Sequence, residues 1–358
     1  MPHRFMIIVL ITSLCGFHRA AIAGDHGFVD TGDVLDGVPV ISELNVEALA
    51  AGKHQFYFRA GWRNTGQKIH IPIRILKGQQ PGKKLLLTAA VHGDELNGIE
   101  VIHRLFDKLD ANNLHGTLVG IPGVNQPGLE AGNRHFLGSN GGGSMVDPNR
   151  IFPGALNGGD AASLYIGQLW HKILKGNADI AIDLHTQTRG AAYPLFVFAD
   201  FGNATAQQIA YSLMPDMIKN DPGQEGTLET AFMNEGVPAV TFELGQAKSW
   251  QHKMIMRAET GILNVMKGMG LLQGTVTKPL VPPYVGANYT NVYTVEGGLA
   301  RLSVELRDAV AKGDHVATVL DPLGREIRRY YAPHDGRILS LATDPLREAG
   351  TMLVRILQ

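Results

Sequence analysis

Two hydrophobic rhythms alternate along the chain, and the junctions between them hold its chemistry. At residues 83–105 (KKLLLTAAVHGDELNGIEVIHRL) an apolar run from Leu85 to Val91 stops at His92-Gly93-Asp94-Glu95. A continuous run of that kind predicts a strand buried on both faces. Leu96, Ile99, Ile102 and Leu105 follow at helical spacing and predict an amphipathic helix. Two more apolar runs have the same character. Ala178–Leu184 ends in His185-Thr186, and Ala239–Leu244 carries Glu243 near its end.

Around these, residues 54–63 and 67–76 alternate like a hairpin turning at Asn64-Thr65-Gly66, with Pro72 suited to an edge strand. Short strands are predicted at Leu118–Ile121 and Leu195–Ala199. Helices are predicted at 161–175, 204–218 and 254–270, with a short one after Gly226-Thr227-Leu228-Glu229. Residues 24–50 carry little pattern. Residues 125–160 read as one long functional loop, with Ser139–Ser144 as a flexible lid. The triple glycine there lacks the GK[ST] ending of a phosphate-binding loop. From about Thr275 the texture changes. Pro279, Pro282 and Pro283 mark a linker, and 284–358 alternates strand runs with Gly and Asp turns, predicting a small all-β region.

His92 and Glu95 stand where a buried strand meets a helix start. In open α/β sheets that carboxyl-end edge is where ligands collect. An imidazole and a carboxylate held close together suit a divalent metal, zinc first. Gly93 allows the tight turn between them. His185, at the end of another buried strand, supplies the third ligand. Asp183 lies two residues earlier on the same strand face and is placed behind that histidine. Three protein ligands leave one position for water, the pattern of a catalytic zinc site with one ion per chain. Glu243 is the candidate general base beside it.

The net charge of −1 gives no electrostatic case for nucleic acid, and 18% charged residues with 44% hydrophobic ones mark a globular chain. Arg4, the apolar stretch Phe5–Phe17 and Ala21-Ile22-Ala23 read as a cleavable secretory signal. Cleavage before Gly24 removes Arg4 and Arg19, takes the net charge from −1 to −3, and removes Cys15, the single cysteine. The expected location is periplasmic or secreted, with no membrane attachment after cleavage. The expected division is a signal at 1–23, a large domain at 24–273 that holds the candidate metal site, and a C-terminal β domain at 274–358.

These pieces resemble the succinylglutamate desuccinylase/aspartoacylase family, within the wider carboxypeptidase-A-like superfamily. The matching motifs are HGDE (92–95), PGVNQPG (122–128) followed by Arg134, DPNRIFPG (147–154), DLHT (183–186) and PAVTFELG (238–245). They occur in the family's order over residues 80–250. One departure is Pro148, where the family commonly has leucine. The resemblance implies an α/β fold, a mixed-sheet zinc-carboxypeptidase-like domain followed by a small all-β domain. It implies that His92, Glu95 and His185 bind Zn2+ and that Glu243 activates water. Arg134 would face the developing oxyanion, and Asn149 and Arg150 would hold a substrate carboxylate. Asn125 is placed on the substrate side with them, a scaffold role being its alternative.

The expected reaction is hydrolysis of the amide of an N-acyl amino acid. A carboxypeptidase or amidase acting on short or cell-wall peptides is the alternative. A binding protein that has lost catalysis is a third reading, opposed by Glu243. The implied partner is a small molecule or short peptide bearing a carboxylate, and oligomeric state is left open.

Overall fold

In a computed structural model of the chain, described over residues 26–138 and 144–358, the three apolar runs lie side by side in one sheet. The elements in chain order are β1 (Phe28–Leu35), β2 (Val38–Leu44), β3 (Gly52–Trp62), β4 (Lys68–Lys77), β5 (Gln80–Ala89), α1 (Asn97–Lys108), β6 (His115–Pro122) and α2 (Gln126–Ala131). There follow β7 (Phe136–Gly138), β8 (Ser144–Val146), α3 (Ala161–Leu169), β9 (Ile180–Gln187), β10 (Ala191–Ala192), β11 (Leu195–Ala199), α4 (Ala204–Ser212), β12 (Met217–Asn220), α5 (Leu228–Asn234), β13 (Ala239–Gln246), α6 (His252–Gly268) and β14 (Tyr284–Gly286).

The large sheet runs β1-β2-β3-β4-β6-β5-β9-β13-β11-β12-β14. Its centre, β6-β5-β9-β13, is parallel and is flanked by the antiparallel pairs β4–β6 and β13–β11. The expected α/β fold with a mixed sheet is therefore what the chain adopts. Helices α1, α4 and α6 cover one face around Val101, Leu105, Ile209 and Ile262. The other face packs α3, the π-helical turn Trp170–Leu174 that continues it, and α5, with Trp170 against Phe232. Coverage on both faces explains why the central strands are apolar without alternation.

The predicted hairpin is β3–β4, paired antiparallel with its turn between Trp62 and Lys68. Its second strand is not an edge: β4 also pairs with β6. That pairing spans only Arg74–Lys77, so Pro72 lies on a stretch of strand that β6 does not reach. The expected helix 204–218 ends at Ser212. Pro215 blocks continuation, Met214 takes a left-handed φ of 50°, and Met217–Asn220 becomes β12 instead. The expected long loop 125–160 contains α2 and the β7–β8 hairpin. Residues 24–50, which carried little pattern, supply β1 and β2. The signal segment and residues 139–143 of the expected lid lie outside the described residues.

The C-terminal region holds β15 (Tyr289–Tyr293), β16 (Gly298–Leu302), β17 (Ala309–Val310), β18 (His315–Leu320), β19 (Glu326–Tyr331), β20 (Gly336–Ala342), β21 (Leu346–Arg347) and β22 (Met352–Leu357). They form two small antiparallel sheets around Val316, Ile338 and Val354. The two regions exchange edges: β14 extends the large sheet, and β10 extends the β20-β22-β15 sheet. A joint cluster of Tyr193, Phe196, Leu339 and Leu357 fixes the C-terminal strands against the large sheet.

Candidate metal centre and active site

The site lies at the carboxyl ends of β5, β9 and β13. Ala90, the first residue after β5, takes a left-handed φ of 56°, and the chain turns there into His92–Glu95. Gly93 lies against α2: a Cβ there would fall 2.0 Å from the backbone carbon of Gly128. That contact keeps the turn tight and brings His92 and Glu95 back over β9.

His92 Nδ1 is 2.9 Å from Glu95 Oε1, His185 Nδ1 is 2.9 Å from Glu95 Oε2, and the two Nδ1 atoms are 3.1 Å apart. All three side chains are buried. Each imidazole turns its other nitrogen to a carboxylate. His185 Nε2 meets Asp183 Oδ2 at 2.6 Å, and His92 Nε2 meets Asp147 Oδ1 at 3.0 Å. Thr88 Oγ1 donates to the second oxygen of Asp183 at 2.7 Å. Both rings are thereby fixed with Nδ1 pointing inward, as the carboxylate–histidine pairs behind metal ligands do.

The donor set fits a dication. With each Nε2–H donated to its carboxylate, two neutral rings present bare Nδ1 lone pairs to each other at 3.1 Å, with no proton between them. A cation between them satisfies both, together with the carboxylate. Ligand atoms about 2.0–2.1 Å from a tetrahedral zinc would be separated by about 3.3 Å, close to these spacings. His92, Glu95 and His185 could therefore hold a metal ion.

Electrostatics follow the same arrangement. Burial opposes the ionised form of Glu95, but His92 and His185 outweigh it and hold its carboxyl well below the usual range. Burial opposes charge on His185, yet Asp183 and Glu95 push its pKa well above the ordinary histidine value. Burial likewise opposes ionisation of Asp147, and its contacts with His92 and Arg134 hold it low.

Glu243 stands on β13 beside His185 of β9. It is 7% exposed, and its Oε2 has no hydrogen-bond partner. Burial pushes its pKa up to about 8. Arg134 is largely buried. Its Nη1 donates to Glu95 at 3.0 Å and its Nη2 to Asp147 at 3.2 Å.

Asn149 and Arg150 follow Asp147, whose Oδ1 accepts the Asn149 backbone N–H. Asn149 Oδ1 in turn caps the start of α5 by accepting from Leu228 N–H at 2.9 Å, leaving its amide NH2 as donor. Arg150 Nη1 donates to the Asn149 carbonyl. A cavity of about 290 Å³ joins His92, Glu95, His185, Glu243, Arg134, Asn149 and Arg150. Asn125 does not line it. That residue is fully buried, its Oδ1 caps α2 at Gly128 N–H, and its Nδ2 donates to the Arg134 carbonyl, so it supports the backbone of Arg134.

Several contributors were not read from the sequence. Asp147 behind His92 is one. The C-terminal β region brings Tyr289 and Arg355 to the cavity, beside Tyr193. No local motif marks them, because strand pairing and the joint apolar cluster bring them there.

A family model described as the succinylglutamate desuccinylase/aspartoacylase catalytic domain matches residues 81–269, just over half of the chain. The chain is 28% identical over 284 residues to an N-alpha-acetyl-L-2,4-diaminobutyric acid deacetylase of Halomonas elongata, covering 75% of this chain and 80% of that protein. Among solved structures, the product-bound ectoine utilization protein EutE (DoeB) from Ruegeria pomeroyi superposes with a TM-score of 0.76. It is 24% identical, and the match covers 86% of this chain and 95% of that one. A succinylglutamate desuccinylase/aspartoacylase from Rhodobacter sphaeroides gives a TM-score of 0.74 at 22% identity, with coverages of 86% and 96%. At these identities the structural likenesses speak for the fold.

Proposed function

Since the chain belongs to the succinylglutamate desuccinylase/aspartoacylase family of hydrolases acting on the amide bonds of N-acyl amino acids, we propose that it is a zinc-dependent deacylase using Glu243 as general base. The observation that carries this reading is the convergence of His92 Nδ1, His185 Nδ1 and the Glu95 carboxylate beside the partnerless oxygen of Glu243. Residues His92, Glu95 and His185 would hold one Zn2+. When bound, zinc supplies a Lewis acid that polarises a carbonyl and lowers the pKa of water toward about 7.

The chain's own residues do the rest. Glu243 takes a proton from the attacking water and returns it to the leaving nitrogen. A pKa raised toward neutrality suits both halves of that transfer. Arg134 presents its guanidinium to the charge that develops on the carbonyl oxygen. Asn149 and Arg150 hold the carboxylate of the amino acid through forked, charge-assisted hydrogen bonds. Asp183 and Asp147 fix the histidine rings. The family match favours this reading over a peptidase. We further propose export through the N-terminal signal with a mature start at Gly24.

The test is metal content of the purified mature protein and of His92→Ala, paired with a product assay on N-acyl amino acids against short peptides. One zinc per chain, lost in the variant, with amino acid released only from N-acyl substrates, is expected. Absence of zinc together with no rescue by added divalent metals would overturn the reading.

A further inference from the structure

The cavity contains a guanidinium that the deacylase mechanism does not use. Arg355 projects from β22, in the C-terminal β region, and lines the same cavity as Glu243. Its Nε donates to Asn291 Oδ1 at 2.7 Å, and Nη1 donates to the Tyr193 hydroxyl. Its carbon Cζ lies 4.2 Å from the centre of the Tyr289 ring and 5.8 Å from that of Tyr193. These partners are all neutral, and among the described residues Arg355 has no carboxylate within ion-pair distance. Every contact therefore orients the guanidinium while none neutralises it. Both donors of Nη2 make no hydrogen bond with the described residues.

Two other arginines line the cavity. Arg134 is neutralised by Glu95 and Asp147. Arg150, like Arg355, has no carboxylate partner and is the residue proposed for the amino acid's own carboxylate. The acids around the cavity form no ion pair with Arg355. Glu243 lies near enough to feel its charge but beyond ion-pair distance. Asp221 is engaged by Lys219 Nζ at 2.6 Å, and Glu229 is buried, accepts from Thr241 Oγ1, and has its pKa raised by burial to about 8. A preorganised, stacked and unpaired guanidinium in a partly enclosed cavity is a receptor for an anion.

We propose that Arg355 is a specificity-determining residue that receives a second carboxylate of the substrate, separate from the one held by Asn149 and Arg150. The C-terminal β region then supplies part of the substrate site. This rests on the deacylase reading for the identity of the ligand, and the second carboxylate belongs either to the amino-acid side chain or to the acyl group.

The test uses the zinc-loaded full chain, wild type and R355Q, with N-acetyl-L-aspartate, N-succinyl-L-alanine and N-acetyl-L-alanine. The quantity read is kcat/KM for each dicarboxylate divided by that for N-acetyl-L-alanine. Loss of a charge-assisted pair lowers such a ratio by about 10–100-fold. A fall for the aspartate compound assigns the charge to the side chain, and a fall for the succinyl compound assigns it to the acyl group. A change of less than about threefold in both ratios overturns the proposal. Should R355Q misfold by circular dichroism, R355K is read in its place. It keeps the charge, loses the fork and lowers the ratio by about 3–10-fold.

If the wild type hydrolyses none of these compounds, the deacylase reading fails separately. The role of Arg355 is then decided by calorimetric binding of succinate against propionate. A selective loss of succinate affinity in the arginine variant upholds it, and equal affinities in both proteins overturn it.

Discussion

Glu243 and His185 are register partners on neighbouring parallel strands, so the proposed base and a proposed metal ligand are held by the same ladder of backbone hydrogen bonds. Their separation is set by strand spacing rather than by loop conformation. Removing the charge from Glu243 should therefore leave the metal site intact. Glu243→Gln is expected to lower kcat by about 10²–10⁴-fold while zinc content and substrate KM stay near wild type. Retained turnover would show that another group handles the proton.

The rings of His185 and His92 are fixed from behind by Asp183 and Asp147. Asp183→Asn keeps a hydrogen-bond acceptor near Nε2 but loses the charge. Zinc affinity, read by competition with a chromophoric chelator, is expected to fall by about 10–100-fold. Asp147→Asn should do the same through His92 and should also loosen Arg134, whose Nη2 it binds at 3.2 Å. An unchanged affinity in both would mean that backbone geometry alone orients the rings.

The pieces of this site that a reader of the sequence can find are those on strand ends. His92, Glu95, His185 and Glu243 each interrupt an apolar run, so hydrophobic pattern and ligand chemistry coincide. Asp183 was legible for the same reason, since two residues of separation on a strand fix its face. Asp147 and Arg355 were not. One sits in a turn whose direction depends on α2 and the β7–β8 hairpin, and the other on a strand 170 residues beyond His185. The hairpin β1–β2 was missed because its strands are partly exposed and carry no strong apolar alternation. At Met217 the apolar spacing of α4 runs on past Pro215, and proline outweighs the pattern.

Glu229 predicts a pH dependence that belongs to the metal-free protein. Burial raises its folded-state pKa to about 8, from an ordinary 4.5. Between those values the folded chain holds a proton that the unfolded chain releases, so stability falls as pH rises through that window. The limit is about 1.4 kcal/mol per pH unit for one group. Glu229→Gln keeps an acceptor for Thr241 Oγ1 and carries no titratable proton. Its Tm relative to wild type is expected to rise by about 2 °C or more between pH 5 and pH 8. A constant difference across that range would mean that Glu229 is solvated or paired when ionised.

The closest backbone approach at the site gives the last prediction. A Cβ on Gly93 would stand 2.0 Å from Gly128 C and 2.3 Å from Leu129 N, both main-chain atoms in α2. Neither can rotate away, so the HGDE turn or α2 must move. Gly93 N–H also donates to the Arg134 carbonyl at 3.4 Å, so displacement of the turn reaches Arg134 as well as His92 and Glu95. Gly93→Ala is expected to cost about 1–3 kcal/mol of stability and to weaken zinc binding at least tenfold, as misplaced ligands require. Gly268→Ala is the matched control. It closes α6, meets only side-chain atoms at 3.5 Å or beyond, and gains helix propensity, so stability should hold or rise by up to about 1 kcal/mol with zinc binding unchanged. If denaturant unfolding and zinc titration respond alike to both substitutions, the contact between the turn and α2 is not what holds the proposed metal-binding side chains together.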